Sequence, residues 1–423
     1  MDTSINGQDA IRFPLPTALH QPSLPFPDVR LYSTAIPSTR PKARTVSEFI
    51  TGLSIGNIPE AAGHGIVSSL CGADDVSFYQ TALTSGEKIF AVAPMIDWTD
   101  RHCRYLHRQL SSRALLYTEM VVADAIIHGP RDRLLSFSPA EHPVALQLGG
   151  SDVGKLSEAI RIASDYGYDE INLNVGCPSD RVQSGTFGAC LMRDAGHVAD
   201  LVAAMKTVST APVTVKCRIG IDDQEPSDVL PDFLDRMIGA GADAIWIHAR
   251  KAWLQGLSPK ENREIPPLDY DLVHRMKREN PNVFLGINGG ISDLDQAKSH
   301  LAVMDGVMLG RAAYQNTGLL AGVDAMLEGS DCAEGGASDT DWLALRDTMI
   351  AYAEEVIASG GRLHHVTRHM VGLFQGYAGA RRFRQILSSE ATKPGAGTEI
   401  ISAAFAAIDL AGIREREAER IAV

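Results

Sequence analysis

The chain has 423 residues, of which 45% are apolar and 22% charged, with a formal net charge of −13. This composition is typical of a globular protein with a large core. No apolar run approaches the roughly 18 residues that a membrane-spanning helix needs, and the first residues lack the apolar segment of a secretory signal. We therefore expect a cytoplasmic protein with no membrane partner. The six cysteines are irregularly spaced without a CxxC pair, which argues against a disulfide framework and a bound metal.

Residues 1–86 are rich in Ser, Thr, Pro and Gly and show little periodicity. We predict a flexible N-terminal extension here. A disordered tail, an organelle-targeting peptide and an over-extended start site all remain open. Targeting is the less favoured of these, because Asp2, Asp9 and Asp28 fall in the segment and transit peptides are usually poor in acids.

Residues 87–328 alternate short apolar, β-branched runs with segments of helical period, such as 198–208. The runs lie at 89–93, 115–117, 144–148, 171–175, 213–217, 244–247, 284–287 and 307–309. Strands alternating with helices indicate parallel βαβ units. Eight units over this length predict a catalytic (β/α)8 TIM barrel, with a doubly wound open sheet as the structural alternative.

Polar or turn residues follow nearly every run, and this favours the barrel. In a barrel all eight C-terminal strand ends meet at one mouth, whereas an open sheet spreads them along an edge. After a glycine-rich, acidic linker, residues 341–423 lack any strand pattern and contain amphipathic segments at 342–357 and 399–421. We predict a small C-terminal all-helical domain there.

Two consecutive strands are followed by glycine-containing sequences, Asn288-Gly289-Gly290 and then Gly310-Arg311. The loops after the last two strands of such barrels commonly bind phosphate, because glycine lets the backbone approach it closely. Arg311 would add a charge-assisted contact. The alternative is an ordinary turn and a surface arginine.

Three other strand-end residues suit a flavin. Lys216 would stabilise the anionic reduced ring near its N1–O2 edge, although a Schiff-base lysine or a rim lysine would look the same. His248 would reach the phosphate or the ring, and Gln147 would bind the pyrimidine edge. No GxGxxG follows a strand, so flavin mononucleotide fits better than a dinucleotide.

Cys177 lies in the sequence NLNVGCPS, at residues 172–179, in the loop that leaves the fourth run. An ordinary thiol is mostly protonated at neutral pH and can act as a general acid. The alternative is a small buried hydrophobic residue, which is what we predict for Cys103, Cys190 and Cys217.

Basic residues are concentrated in two stretches, 101–108 and 362–384. The second has five arginines and three histidines, lies in a segment without Asp or Glu from 356 to 389, and is interleaved with Phe374, Tyr377 and Phe383. In an acidic protein these stretches favour phosphate contacts with a nucleic acid. A solvated helix face is the alternative.

Taken together, these sequences resemble the tRNA-dihydrouridine synthases, in particular the A-type subfamily. The first matching stretch reads APMIDWTDRHCR at 93–104, and NLNVGCPS is the core of another. The matches lie at 93–104, 114–120, 144–150, 170–183, 212–216, 248–253, 258–270 and 368–376. Matches this long are highly specific, and they span about residues 88–390. Cys217 departs from the small residue expected beside Lys216, and the N-terminal extension falls outside the resemblance.

The resemblance implies bound FMN, NADPH as reductant, and D-loop uridines of tRNA at position 20 and/or 20a as substrate. Hydride would pass from flavin N5 to uracil C6 while Cys177 protonates C5, after the base has been flipped out of its stack. It implies FMN contacts by Pro94, Met95, Ile96, Asp97, Gln147, Lys216, His248, Asn288, Gly289, Gly290, Gly310 and Arg311. It implies tRNA contacts by Asn174, Lys260, Arg263, His365 and Arg368.

Two other functions remain open. A reductase or dehydrogenase of a free pyrimidine, similar to dihydroorotate dehydrogenase, would share barrel, FMN and base chemistry but would not need the acid-free basic stretch. An RNA-binding protein with an inactive barrel would not need Cys177, Lys216, His248 and Arg311 together.

Overall fold

The structure is a computed structural model that describes residues 77–179, 186–329 and 341–410. Its strands are β1 (Ile89–Val92), β2 (Leu115–Tyr117), β3 (Val121–Val122), β4 (Val144–Gly149), β5 (Glu170–Val175), β6 (Val213–Arg218), β7 (Ala244–His248), β8 (Phe284–Asn288) and β9 (Gly306–Leu309).

The helices lie before, between and after these strands. The first six are α1 (Phe78–Ser85), α2 (Arg101–Leu110), α3 (Ala123–His128), α4 (Arg131–Leu135), α5 (Val153–Ala163) and α6 (Ala195–Val208). They are followed by α7 (Pro226–Gly239), α8 (Tyr270–Glu279), α9 (Leu294–Leu301), α10 (Arg311–Gln315), α11 (Val323–Leu327), α12 (Trp342–Ala358), α13 (Leu363–Thr367), α14 (Ala380–Ser389) and α15 (Glu399–Phe405).

All pairings between neighbouring strands are parallel, and eight of the strands close into a barrel. β1 pairs with β2 and with β9, β2 pairs with β4, and the order then runs in sequence from β4 to β9. The short β3 pairs only with the end of β4. The predicted (β/α)8 barrel is confirmed, and the open-sheet alternative is wrong because the ring of pairings is complete.

Side-chain alternation along the strands divides the barrel into two cores. In β1, Phe90 and Val92 point outward and pack in the layer between strands and helices, while Ala91 belongs to the core inside the barrel. Trp246 is the largest buried side chain of the inner core. A Cβ added at Gly286 would lie 2.1 Å from the Trp246 ring, so glycine at that position makes room for the indole.

The helix α1 precedes the barrel and contributes to its interior. It is capped at its start by Ser77, whose side chain accepts from the backbone of Gln80, and at its end by Gly86 in the left-handed region. Tyr79 is fully buried in the inner core, edge-on to Phe284 at 4.6 Å. The predicted extension over 1–86 is therefore wrong for residues 77–86, which fold as part of the barrel. Residues 1–76 lie outside the described part.

The C-terminal helices agree in part with the prediction. The segment predicted at 342–357 forms α12. Of the segment predicted at 399–421, residues Glu399–Phe405 form α15, 406–409 are not helical, and 411–423 are not described. Phe374, Phe383 and Phe405 form the aromatic centre of this region, all buried and with perpendicular ring contacts of 5.0–5.5 Å. Phe374 and Phe383, predicted to accompany a nucleic-acid surface, are core residues instead.

Helix α12 packs on the barrel through aromatic residues. The ring of Tyr352 stacks on Tyr105 of α2 at 3.8 Å, and its hydroxyl lies 2.8 Å from Nδ1 of His102. Among the described residues, no helix has the length and apolar character to cross a bilayer, and no group of three His, Cys, Asp or Glu is arranged to hold a metal.

Candidate active site at the barrel mouth

The predicted cofactor residues lie at the C-terminal ends of the barrel strands or directly after them. Gln147 is on β4, Lys216 on β6, His248 on β7 and Asn288 on β8. Because the strands are parallel and closed into one ring, their side chains share one mouth. The fold thus brings together residues that are far apart in sequence.

Asn288 links two of these strands. Its Nδ2 donates to the carbonyl of Met308 at 2.7 Å, and its Oδ1 accepts from Nζ of Lys216 at 3.0 Å. Burial and the nearby Arg218 lower the pKa of Lys216 to about 8. The ammonium group is therefore held in place by the neutral side chain of Asn288, and no carboxylate among the described residues pairs with it.

The glycine loop after β8 approaches His248 closely. Gly289 and Gly290 have φ values of 113° and 74°, in the left-handed region that favours glycine. A Cβ on Gly289 would lie 3.0 Å from the His248 ring, and one on Gly290 would lie 2.5 Å from Leu268. Both positions therefore require glycine, for backbone conformation and for space.

His248 itself is a polar group without a partner for one of its ring atoms. Its Nδ1 is buried and makes no hydrogen bond with any residue that the structure describes. Burial, together with Arg218 and Lys216, holds the pKa of His248 well below its usual range. The ring is therefore neutral at physiological pH, with a nitrogen ready for a ligand.

The loop after β5 carries Cys177, which is half-buried. The Asn174 side chain holds this loop, because its Oδ1 accepts from the backbone N–H of Gly176 at 3.1 Å and of Cys177 at 3.0 Å. The thiol of Cys177 donates to the hydroxyl of Ser179 at 3.7 Å. Cys103 and Cys217 are buried as predicted, whereas Cys190 is half-buried and donates to the carbonyl of Phe187.

Arg218 was not predicted as a site residue. It is buried, and its guanidinium donates to three carbonyls, those of Gly176, Lys251 and Asn262, at 2.9–3.0 Å. It therefore joins the cysteine loop to the loop after β7. The signal in the sequence was a charged residue at the C-terminal end of a largely apolar strand.

Arg311, predicted to bind phosphate, is partly engaged within the protein. Its guanidinium pairs with Glu264 at 2.8 Å and lies 3.4 Å from the carbonyl of Arg263. Both side chains of the pair are about 40% exposed (37% and 46%), so the ion pair is weak and exchangeable. Gly310 lies between the ends of β9 and β1, and a Cβ there would be 3.5 Å from Sδ of Met95.

The sequence after β1 turns sharply at Asp97, whose φ is 65°. The backbone N–H of Asp97 donates to the carboxylate of Glu119, which follows β2. Ile96 beside it is 52% exposed, so an apolar side chain faces solvent at the rim. Glu119, one of the polar residues that follow a predicted strand, lies at the rim as well but was not predicted as a ligand contact.

The predicted tRNA contacts fall in two regions. Lys260 and Arg263 are exposed in the loop after β7, and Asn174 is buried beneath Cys177. His365 and Arg368 lie in the C-terminal helices, where Nδ1 of His365 accepts from the backbone of Arg362. Arg368 is exposed but pairs with Asp100, so part of its charge serves the contact between helices and barrel.

The prediction of a nucleic-acid surface over 101–108 is wrong for Arg104, His107 and Arg108. Arg104 is buried in an ion pair with Glu141 at 2.7 Å. Arg108 donates to four carbonyls, and His107 is fully buried. The two arginines face inward because the carbonyls of the turns beneath α2 need donors.

Three polar residues inside the barrel were not predicted as site residues. Glu170, Asn172 and Thr214 are buried and are joined by hydrogen bonds to one another and to the predicted Gln147. The signal was present in Glu170-Ile-Asn-Leu-Asn174, where polar residues alternate with apolar ones at the period of a strand. Read as a barrel strand, that alternation places three polar side chains on the inner face.

Polar groups gathered at one mouth of a closed parallel barrel define a (β/α)8-barrel enzyme. A sequence profile described as "Dihydrouridine synthase (Dus)" matches residues 91–409. Proteins named tRNA-dihydrouridine(20/20a) synthase are similar to this chain: that of Salmonella typhi is 56% identical over 75% of this chain and 94% of its own length. The protein of Escherichia coli K12 is 56% identical over 75% of this chain and 90% of its own length. The protein of Shewanella oneidensis is 54% identical over 76% of this chain and 94% of its own length.

The chain belongs to the dihydrouridine synthase family and is an enzyme of that type. The resemblance inferred from its motifs is thereby confirmed. Among solved structures, morphinone reductase matches 57% of this chain and 86% of its own, at 14% identity and a TM-score of 0.42.

Proposed function

We propose that this enzyme reduces uridines of the tRNA D-loop, at position 20 and/or 20a, to 5,6-dihydrouridine, with bound FMN and with NADPH as reductant. The observation that carries the proposal is Cys177, a half-buried thiol on the loop that leaves β5 at the same mouth as Lys216 and His248. The names of the similar proteins support the choice of substrate.

The residues at the mouth fit a flavin mononucleotide. The unpartnered Nδ1 of His248, the two left-handed glycines and the partly buried ammonium of Lys216 offer hydrogen bonds, close backbone approach and positive charge. Pro94 to Asp97, Gln147, Asn288, Gly310 and Arg311 complete the proposed set. Phosphate would replace Glu264 as the partner of Arg311, because both are anions and the existing pair is exposed.

When bound, the flavin supplies hydride from N5 to C6 of the uracil ring. The protein then has to deliver a proton to C5, and Cys177 is the donor in this proposal. Its loop is fixed from three sides, since Asn174 accepts from its backbone, Arg218 donates to the Gly176 carbonyl and the thiol contacts Ser179. A thiol held in this way meets the base in a defined position.

Lys216 and His248 set the electrostatics of the site. Lys216 would be drawn to its charged form by a negative ring, because an opposite charge raises the pKa that burial has lowered. His248 stays neutral and contributes a hydrogen bond rather than a charge. In this proposal Lys216 therefore provides positive charge, and His248 provides a hydrogen bond that orients the ligand.

The tRNA would lie across the mouth and the C-terminal helices. Lys260 and Arg263 on the loop after β7, and His365 and Arg368 in the helices, are the proposed contacts. Exposed Arg381, Arg382 and Arg384 on α14 extend the positive surface, as RNA phosphates require.

The test is Cys177→Ala, with Cys190→Ala as the matched control because Cys190 is also half-buried and donates to the carbonyl of Phe187. We expect the purified protein to be yellow with FMN. We expect Cys177→Ala to keep NADPH-driven flavin reduction but to lose dihydrouridine formation on unmodified tRNA by at least about 100-fold, in the range of a lost general acid. Cys190→Ala should retain both.

Two results would contradict the proposal. Protein that cannot take up FMN would remove the flavin from it, and full product formation by Cys177→Ala would remove Cys177 from its role. Reduction of free uridine or uracil as fast as of tRNA would instead favour the free-pyrimidine reductase.

A further inference from the structure

The buried carboxylate of Glu170 receives three hydroxyl groups. The phenol of Tyr79 donates to Oε2 at 2.5 Å, that of Tyr117 to Oε1 at 2.6 Å, and the hydroxyl of Thr214 also donates to Oε1. Nε1 of Trp246 donates in turn to the Tyr79 hydroxyl at 3.2 Å. An ionised carboxylate accepts without donating, so three hydroxyl donors match the charged form, which predominates above pH 7 because the pKa of Glu170 is about 7.

The bonds continue from Thr214 toward the mouth with one direction. Because the Thr214 hydroxyl donates to Glu170, its oxygen accepts, and it does so from Nδ2 of Asn172 at 2.7 Å. Oδ1 of Asn172 accepts from Nε2 of Gln147 at 2.8 Å. Each amide is thereby held with its oxygen facing the next donor. We call Thr214, Asn172, Gln147 and Asn174 the amide chain.

The last member of the amide chain reaches the cysteine loop. Nδ2 of Asn174 donates to Oε1 of Gln147 at 2.7 Å, which leaves its Oδ1 to accept from the backbone N–H of Gly176 and Cys177. If the direction were reversed, the Asn174 amide would turn its NH2 group toward two N–H donors. The loop that carries Cys177 would then lose both bonds.

We propose that Glu170 is a positioning residue: its carboxylate sets the direction of the amide chain, which fixes Gln147 and the backbone of the Cys177 loop. The inference rests on the proposed function, in which Gln147 binds flavin and Cys177 donates the proton. Among the described residues, the carboxylate of Glu170 is bonded to Tyr79, Tyr117 and Thr214, so in this proposal it acts only through the amide chain.

The energetics of Glu170 agree with a functional role. Burial raises the pKa of Glu170 to about 7, and the bonds from Thr214, Tyr117 and Tyr79 act in the opposite direction. A charge inside a barrel is costly unless it is fully bonded. An apolar side chain would pack there without that cost, so the carboxylate is best explained by what it does to its neighbours.

The test uses Thr214→Val, which has the same shape but no hydroxyl, and Thr214→Ser, which restores the hydroxyl. Glu170→Gln tests the carboxylate directly, because an amide cannot accept three bonds and must also donate. Thr317→Val is the matched control: Thr317 is equally buried and loses one bond to the Tyr314 carbonyl, outside the mouth.

Three quantities are measured on the purified enzyme. The first is the FMN dissociation constant, recorded together with the visible spectrum of bound FMN. The second is the pair of single-turnover rates, for flavin reduction by NADPH and for its reoxidation by tRNA. The third is deuterium exchange at the backbone amides of Gly176 and Cys177. We expect Thr214→Val and Glu170→Gln to weaken FMN binding and slow reoxidation at least tenfold. Reduction should change less than threefold, and the two amides should exchange at least tenfold faster.

Thr214→Ser should recover within threefold of the starting enzyme, and Thr317→Val should match it throughout. Native spectrum, reoxidation and exchange in Thr214→Val would overturn the role of the amide chain. If the unmodified enzyme binds no FMN, the proposed function fails, and amide exchange still decides whether Glu170 directs the Cys177 loop. Should Glu170→Gln not fold, the Thr214 pair decides the matter.

Discussion

The two basic stretches look alike in sequence but differ in how deeply their arginines are buried. In 101–108 two of the three arginines point inward: Arg104 pairs with Glu141 and Arg108 donates to backbone carbonyls. In the second stretch Arg381, Arg382 and Arg384 are exposed. Composition alone therefore does not locate a nucleic-acid surface, because an arginine is equally suited to satisfying carbonyls in a protein and phosphates in a ligand.

The largest effect is expected at the buried pair of the first stretch. Arg104→Met leaves Glu141 charged and unpaired, with 6% and 1% exposure of the two side chains. We expect the free energy of unfolding to fall by about 3–5 kcal/mol, measured by chemical denaturation. The tRNA affinity of the folded protein should not change.

Arg101→Met is the control, since Arg101 is half-buried and, among the described residues, donates to two carbonyls at 3.1 and 3.4 Å. It should cost less than about 1 kcal/mol. If Arg104→Met lost tRNA affinity without losing stability, Arg104 would be an RNA contact and the first stretch would not be structural.

The two stretches meet at Asp100. Its carboxylate caps α2 by accepting from the backbone of His102 and Cys103, and it pairs with Arg368 and His369 of the second stretch. Burial opposes its charge, yet bonds from His369, Cys103 and Arg368 hold the pKa of Asp100 well below its usual range. Its stabilisation is therefore present above the ordinary pKa of an aspartate and is lost as pH falls below it.

We expect Asp100→Asn to lower the free energy of unfolding by about 2 kcal/mol at pH 7, as for hydrogen bonds to a charged group. The difference between the two proteins should shrink as pH falls from about 5 to about 3, in denaturation curves recorded across that range. A difference that stays constant with pH would show that the charge of Asp100 does not contribute.

The smallest effect on stability is expected at the exposed arginines. Replacing Arg381, Arg382 and Arg384 with glutamine should leave the free energy of unfolding within about 0.5 kcal/mol. It should raise the tRNA dissociation constant about tenfold at low salt and reduce the salt dependence of binding by up to about two units of slope. Filter binding at several salt concentrations measures both.

A charge-matched control uses exposed arginines on the outer helices of the barrel, Arg161, Arg236 and Arg278. Replacing these with glutamine removes the same net charge. Equal weakening of tRNA binding by both triple variants would indicate general attraction rather than a surface on α14.

The barrel was predictable because its signals are local. Each strand is a short apolar run, and the polar residue at its end marks the mouth, so Lys216, His248 and Asn288 were placed correctly at strand ends. The pairings Arg104–Glu141 and Arg368–Asp100 were not predictable, because they join residues 37 and 268 positions apart. The direction of a side chain depends on packing that a charge pattern does not contain.

The inner polar residues illustrate a different limit. The alternation in β5 was visible, but an alternating strand is usually taken to have one face in water. Inside a closed barrel that face meets Tyr79 and Tyr117 instead. The meaning of the pattern thus depended on knowing that the sheet closes, which no single strand reveals.

Helix α1 shows that the folded barrel domain starts before its first strand. Tyr79 enters the barrel from the end opposite the mouth and contributes one of the three hydroxyls on Glu170. A version trimmed to begin at the first strand would keep every proposed ligand of flavin and RNA. It would nonetheless lack the Tyr79 side chain, and the cavity left beneath the Glu170 carboxylate would be open to water.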